Sequence, residues 1–364
     1  MLVAAAEAVA VRSLTGLRVE LDDDAITSLI GPNGAGKTNF LEAVYFALTG
    51  RSFRTSDRRD LIPFGEPLAR AEALVRGEDG IEHTLLASVS RAEGRRHLLD
   101  GSPADPATIA RHRPPVAVFS PDRLVLVKGP PSERRAHLDG FIAARWPSRA
   151  ELRRRYGRAL AQRNALLARA AAGQGSPAQL DAWDATAAEV AAELVAARYD
   201  AVDELSPLFA TAAAELGLAT STELSYAPRA EGGVEEIRSG LAERREADLR
   251  LGRSGWGPHL DEIKFSAEGR SLRKYGSQGE QRAALLALIF AEREALLEAR
   301  RVTPLLLLDD VMSELDPDRR ERLVERLARG GQTLISAAAD ESVPEGARRS
   351  VVRMPPGAGL AAVA

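Results

Sequence analysis

The sequence predicts an α/β fold with a mixed sheet, interrupted by a short all-helical lobe. Three observations predict it. A glycine-rich turn, GPNGAGKTN (Gly31 to Asn39), lies between a short apolar strand and a helix. Two later runs, VTPLLLLDD and GGQTLISAA, read as continuous strands buried inside a parallel sheet. From residue 132 to about 215, apolar residues recur at helical spacing. These divide the chain into residues 1–131 and 246–364, the two parts of an α/β head, and residues 132–245, a helical lobe.

The elements follow in order. The N-terminus, MLVAAAEAVAVRSL, lacks a basic leading segment and carries Glu7, so it reads as a strand and not a signal peptide. AITSLI (Ala25 to Ile30) is the strand before the glycine turn, and NFLEAVYFALTG (Asn39 to Gly50) is the helix after it, stopped by glycine. EALVRGEDGIEHTLLASVSRAEGRRHLLDG reads as antiparallel strands with turns at Gly77–Gly80 and Glu93–Gly94. PVAVFSP (Pro115 to Pro121) is a compact buried strand. Three helical segments follow: 132–146, 149–173 and 180–216. The break at Gly173–Gln179 predicts an antiparallel helical hairpin from the last two, with arms too short for an extended coiled coil. ATSTELSYAPRA reads as a strand leading out. The tail after Pro344 carries little signal, and disorder is expected in its last ten residues.

Composition narrows the class. The chain has 364 residues, 45% of them apolar, and a net charge of −3. With no cysteine it forms no disulfide and no cysteine-ligated zinc site, which suits a reducing cytosol. No apolar run reaches the ~20 residues of a membrane helix. The longest, AALLALIFAEREALL, is broken by Glu292, Arg293 and Glu294. The charge argues against a uniformly basic coat, so nucleic-acid binding would need local patches. Such patches occur at Arg51, Arg54, Arg58 and Arg59, at Arg91, Arg95 and Arg96, and at Arg153, Arg154 and Arg155. Arginine suits phosphate recognition, although a GC-rich genome is the better explanation of the overall bias toward arginine and alanine.

The chemistry concentrates at three places. Gly31 to Thr38 match G-x-x-x-x-G-K-[ST], the phosphate-binding loop. Gly31, Pro32, Asn33, Gly34, Ala35 and Gly36 would turn backbone N–H groups toward phosphate oxygens. Lys37 would reach the β- and γ-phosphates, Thr38 would offer its hydroxyl to Mg²⁺, and Asn39 continues into a helix whose N-terminus favours anions. LLLLDD (Leu305 to Asp310) is an apolar strand ending in two carboxylates, expected beside the loop strand. Asp309 would hold Mg²⁺, and Asp310 would orient or deprotonate the attacking water. YGSQGEQR (Tyr275 to Arg282) opens a helix, with Ser277 as N-cap and Glu280 or Gln281 completing a capping box. Ser277, Gln278, Gly279 and Glu280 also form a second anion site, 32 residues before Asp309.

This order resembles the head of ABC-type ATPases, in which the S-x-G-[EQ] signature contacts ATP held by another subunit. MSELDPDRRERL (Met312 to Leu323) is similar to the segment that lies at such a dimer interface. The likeness becomes closer with SPDRL, KGPPSERRAHLD, RRRYGRALAQRNALL, GPHLDE, YGSQGEQR and LLLLDDVMSELD, in this order. They resemble the bacterial RecF family, above all P-x-x-R-R-x-x-L-D (Pro131 to Asp139) and D-D-V-x-S-E-L-D (Asp309 to Asp316). The likeness runs from Val3 to about Ala337. It implies a cytoplasmic, nucleoid-associated ATPase with an ABC-type head and a short helical lobe, using ATP and Mg²⁺. It further implies an ATP-dependent homodimer that binds duplex DNA and single-strand/double-strand junctions. RecO, RecR and RecA are the implied partners, in gap repair and the SOS response. By the same resemblance, Asp310, Lys37 and Ser277 are the catalytic set. Phe119 to Leu124 stand where transporters sense the γ-phosphate, but read S-P-D where those carry glutamine.

The chain departs from the family pattern at His137, Leu260 and Glu262, and ISAAAD stands where a switch histidine would be, leaving Ser336 as the polar candidate. Slow hydrolysis is expected from the short Asp310 and the missing switch histidine. Arg51 and Arg54, in the R-S-F-R-T after the loop helix, are candidates for nucleotide phosphate or DNA. A transporter subunit would carry the missing glutamine and histidine. A chromosome-maintenance ATPase would need far more coiled coil between loop and signature. A small-molecule kinase has no use for the S-Q-G-E and S-E-L-D pair.

Overall fold

The structure is a computed structural model that describes residues 1–23, 26–174, 179–340, 343–347 and 350–355. Ala25 of the expected loop strand, residues 175–178 of the expected hairpin break and the last nine residues of the tail lie outside the described residues. The chain forms two compact units, Met1–Leu124 with Glu215–Gly217 and Leu296–Ala364, and Val125–Ala214 with Leu218–Ala295.

The first unit carries two sheets. Strands β1 (Leu2–Val11), β2 (Leu14–Glu20), β4 (Leu68–Arg76), β5 (Glu82–Ser90), β6 (Gly94–Leu99) and β7 (Ser102–Pro103) form an antiparallel sheet in the order β2-β1-β4-β5-β6-β7. Strands β3 (Ile26–Ile30), β8 (Val116–Phe119), β12 (Leu305–Leu308), β13 (Thr333–Ala337) and β14 (Ser350–Arg353) form a parallel one in the order β14-β3-β13-β12-β8. The pairings expected of a mixed sheet are thus divided between two sheets. Helix α1 (Lys37–Thr49) touches strands of both. Its Phe40, Leu41, Val44, Phe46 and Leu48 are buried with Val118, Leu305, Leu307 and Leu334. Each such side chain contributes roughly 1.5–3 kcal/mol on leaving water. β3, β12 and β13 are buried along their whole length, as continuous apolar runs demand. Short helix α2 (Pro106–Arg111) completes the N-terminal stretch, with Asp105 accepting from the amides of Ala107 and Thr108 as its cap.

Two placements differ from expectation. β12 is not the neighbour of β3, because β13 lies between them. The low-signal tail supplies β14, parallel to β3, and Met354 N–H donates to the Ile30 carbonyl at 2.7 Å. Only two valines mark that strand in sequence, too short a run for periodicity to identify.

The second unit is helical apart from a small sheet. Helices α3 (Val125–Lys128), α4 (Pro131–Arg145), α5 (Leu152–Ala171), α6 (Leu180–Glu215), α7 (Val234–Glu243), α8 (Arg245–Leu251) and α9 (Leu272–Tyr275) precede α10 (Gln278–Arg300), which opens in this unit. α5 and α6 run antiparallel, joined by Arg155 to Glu193 and Arg163 to Asp184. Strands β9 (Glu223–Ala227), β10 (Glu262–Ala267) and β11 (Arg270–Ser271) form an antiparallel sheet in the order β11-β10-β9, burying Leu224, Ile263 and Phe265.

The P-x-x-R-R-x-x-L-D and G-P-H-L-D-E motifs clasp each other here. Arg134 and Arg135, on α4, reach the Glu262 carboxylate at 2.7 Å and the Asp261 carbonyl at 2.7 Å. Asp139 takes both arms of Arg198 at 2.9 and 3.0 Å, and Arg198 Nη1 continues to Asp261 Oδ2 at 2.8 Å. Tyr226 Oη donates to the same Asp261 carboxylate. Burial alone would lower the Arg198 pKa, but the hydrogen bonds and charge of Asp139 outweigh it and raise the pKa. A second buried arginine, Arg163, joins Asp184, Asp248 and Ser254 at 2.6–2.7 Å. Removing one partner of a buried pair leaves an uncompensated charge. Arg198→Ala is therefore expected to cost about 3–5 kcal/mol, read from urea unfolding, and a cost below about 1 kcal/mol would contradict this role.

Candidate nucleotide-binding site

The loop between β3 and α1 is shaped by its glycines. Gly36 sits at φ +95°, where any side chain is strained, and a Cβ there would lie 2.6 Å from Leu14 Cδ2. A Cβ on Gly31 would meet the Met354 carbonyl oxygen at 2.3 Å, so the tail strand backs the start of the loop. Lys37 opens α1 and is nearly buried. Its Nζ donates to the carbonyls of Gly31 at 2.6 Å and Pro32 at 2.9 Å, so the ammonium is held under the loop. Burial lowers its pKa, while Asp310 and then Asp309 act against that shift.

The carboxylates expected to serve the loop lie with it. Thr38 Oγ1 donates to Asp309 Oδ1 at 2.7 Å across 271 residues of sequence. The intervening strand β13 supplies Ser336, whose Oγ donates to the same Asp309 oxygen at 2.7 Å. Ser336 Oγ also accepts the Asp310 backbone N–H at 2.8 Å. Asp309 is buried, and its own N–H donates to the Phe119 carbonyl at 2.9 Å. Desolvation raises the Asp309 pKa, the Ser336 and Thr38 hydroxyls partly offset it, and the charge of Asp310 adds to the rise. Asp310 adopts φ +49°, a left-handed backbone conformation that short polar residues tolerate at functional positions. At the end of β8, the buried Ser120 hydroxyl has no hydrogen-bond partner among the described residues.

Around Asn39 the structure adds residues that sequence reasoning missed. Glu42, fully buried on α1, accepts Arg12 through two bonds of 3.1 Å, Ser52 Oγ at 2.5 Å and Arg54 Nη1 at 3.4 Å. Arg54 also donates to Asn39 Oδ1 at 3.2 Å, and Asn39 donates to Ser13 at 2.7 Å. The available signal was a carboxylate inside the apolar run NFLEAVYFAL. Arg54 thus stands at the loop helix. Arg51 is exposed beyond the helix end, away from this network.

The S-Q-G-E segment belongs to the second unit and is described by itself. The Ser277 N–H donates to Glu280 Oε2 at 2.7 Å, and the Glu280 N–H donates to Ser277 Oγ at 3.2 Å. This is a reciprocal capping box at the start of α10. Gln281 Nε2 donates to the Leu272 carbonyl at 2.9 Å, pinning α9 to the helix start.

Comparison with known proteins decides the family. Residues 5–357 match the family model of the RecF/RecN/SMC N-terminal domain. A DNA replication and repair protein RecF of Anaeromyxobacter sp. (strain Fw109-5) is 40% identical over 314 residues, 83% of each chain. The chain belongs to the RecF family of DNA replication and repair proteins. The RecF of Streptomyces avermitilis is 36% identical over 351 residues, 92% of each chain. Among solved structures, the recombination mediator protein RecF with ATP, of the RecFOR pathway, superposes with a TM-score of 0.84 at 26% identity, covering 98% of this chain and 96% of that one. An SMC head bound to the C-terminal winged-helix domain of ScpA shares the fold, with a TM-score of 0.56 and 17% identity over 97% of this chain and 94% of that one. Among the described residues of this RecF-family chain, no helix is long and apolar enough to cross a membrane.

Proposed function

We propose that this RecF-family protein is an ATP-gated DNA-binding ATPase of recombinational repair. The observation that carries this reading is the 2.7 Å contact of Thr38 with Asp309 beside a buried Lys37. It puts two hard oxygen donors next to a phosphate loop, a donor set that fits Mg²⁺ sharing its remaining positions with phosphates and water. Mg²⁺ bound there would neutralise charge on the β- and γ-phosphates.

The chain's own residues divide the remaining work. The loop N–H groups from Gly31 to Thr38 bind the phosphates, and Lys37 moves from the Gly31 and Pro32 carbonyls onto phosphate oxygens. Asp310 orients the attacking water and takes up its proton. Ser120 is the polar group nearest in sequence to the expected γ-phosphate contact, and its unpaired hydroxyl suits that role. Ser336 holds Asp309 and the Asp310 backbone with one hydroxyl, in the region where a switch histidine is absent. Ser277 to Glu280 complete the nucleotide site of a second copy, so that ATP joins two heads. The dimer binds duplex DNA and junctions and acts with RecO and RecR to load RecA at gaps. A relative of similar length solved with ATP in the RecFOR pathway supports this reading.

Steady-state ATP turnover with gapped DNA tests it. Turnover below about one per second is expected, and tens per second would contradict the slow switch. Ser336→Ala is expected to lower kcat about tenfold or more, as loss of a residue that orients a metal ligand does, while the ATP Kd stays within about threefold. Ser336→Thr restores it. An unchanged kcat in Ser336→Ala would remove the serine from the mechanism.

A further inference from the structure

The far end of α1 carries a concentration of positive charge that the nucleotide site does not use. Gly50 caps the helix in a left-handed conformation at φ +64°. Two guanidiniums converge on the Gly50 carbonyl: Arg58 Nε at 2.8 Å and Arg95 Nη1 at 3.4 Å. The buried His97 adds a contact of 2.8 Å to the Ala47 carbonyl. Cations suit the negative end of a helix dipole, which accounts for the two guanidiniums, whereas burial lowers the His97 pKa, away from the charged form. The dipole does not account for Arg51 and Arg113. The Arg51 side chain is exposed and makes no hydrogen bond or ion pair among the described residues. Arg113 donates to the Pro114 carbonyl at 3.0 Å but leaves a buried Nε unpartnered.

The surroundings of these side chains are cationic. Burial lowers the Arg95 pKa, and Arg58 and Arg51 lower it further. Burial pushes Arg113 down to about 10; Tyr45 opposes the shift, whereas Arg300 and Arg51 add to it. None of Arg51, Arg58, Arg95 and Arg113 is paired with a carboxylate among the described residues. Elsewhere in the same unit, arginines pair readily: Arg12 with Glu42, Arg70 with Glu72, Arg76 with Asp23 and Glu82, Arg319 with Asp316. Like charges gathered without counter-charge repel, and an anion from outside would relieve that repulsion. Planar guanidinium forks match phosphate oxygens best.

We propose that Arg51 and Arg95, exposed at the C-terminal end of α1 with Arg58 beside them, form a docking surface for the phosphate backbone of duplex DNA. The proposal rests on the reading that the protein binds DNA, and it names where. The surface lies roughly 20 Å from the phosphate loop, the length of a 13-residue helix. A continuous helix therefore separates a nucleotide end from a DNA end. Arg54 is assigned to the first and Arg51 to the second.

Fluorescence anisotropy of a labelled duplex, titrated at several salt concentrations, tests the assignment. The proteins are wild type, Arg51→Glu, Arg95→Gln and, as a paired arginine of the other unit, Arg250→Gln. Arg51→Glu disturbs no side-chain contact, so its folding is not in question, and a melting curve checks Arg95→Gln. Each substitution at the surface is expected to weaken DNA binding about tenfold near 0.1 M salt and to reduce the slope of log K against log salt by about one. ATP affinity and Arg250→Gln stay at wild-type values. Wild-type DNA affinity and slope in Arg51→Glu, or an equal loss in Arg250→Gln, would overturn the surface alone. A wild-type protein that does not bind the duplex at all would overturn the functional reading with it.

Discussion

Lys37→Ala is expected to weaken ATP binding by about a hundredfold or more. The side chain is buried under a loop whose N–H groups have no positive charge of their own, and among the described residues its Nζ donates to the Gly31 and Pro32 carbonyls. On nucleotide entry those bonds to uncharged carbonyls exchange for bonds to anionic phosphate oxygens, in which both partners are charged. Truncating one side of such a pair typically costs about 2–5 kcal/mol, and each 1.4 kcal/mol is about tenfold in Kd. The fold should survive, because the core side chains of α1 are untouched. Titration with a fluorescent ATP analogue checks this, with circular dichroism as the control. A Kd within about threefold of wild type would remove Lys37 from the phosphate contacts.

The second large effect is on assembly. Ser277→Asp is expected to abolish ATP-dependent dimerisation while leaving ATP binding intact. Aspartate caps helices at least as well as serine, so the start of α10 keeps its hydrogen bond to the Glu280 amide. What changes is charge: a carboxylate replaces a hydroxyl at the position proposed to meet a γ-phosphate on the other copy. Like charges a few ångströms apart in a partly dry interface oppose closure by several kcal/mol, enough to shift the dimerisation constant by about a thousandfold. Ser277→Arg tests the same contact by bulk but loses the cap, at about 1 kcal/mol. If Ser277→Asp dimerises normally, the segment serves only as the capping box that it forms within the chain.

Much of the nucleotide end was legible because its chemistry fixes both spacing and context. Gly31 to Thr38 specify a turn that only glycines permit, and the flanking strand and helix follow from apolar pattern. LLLLDD announces a buried strand with carboxylates at its end. The strand order was not legible, because local pattern does not say which strands are neighbours; β13 entered between β3 and β12, and that insertion brings Ser336 onto Asp309. Glu42 was missed since a lone carboxylate in an apolar helix has no period. The P-x-x-R-R-x-x-L-D and G-P-H-L-D-E motifs were visible as family marks, yet their job emerges only from the ion pairs of Arg134, Asp139, Arg198, Asp261 and Glu262. Residues as strongly patterned as a catalytic set are there holding one unit together. Arg51 and Arg54 lie three residues apart in one candidate segment, of which Arg54 was the better candidate in sequence, and they differ in surroundings: Arg54 meets Asn39 and Glu42, whereas Arg51 makes no side-chain ion pair among the described residues and stands near Arg95 and Arg113.

The central claim is that ATP joins two copies through residues that are distant in the sequence. Sedimentation velocity of the wild-type protein with and without Mg-ATP, in the presence of gapped DNA, tests it most directly. The account predicts a monomer without nucleotide and a dimer with it, reverting to monomer as ATP is consumed. A protein that stays monomeric at saturating Mg-ATP, with nucleotide binding confirmed in the same buffer, would contradict it.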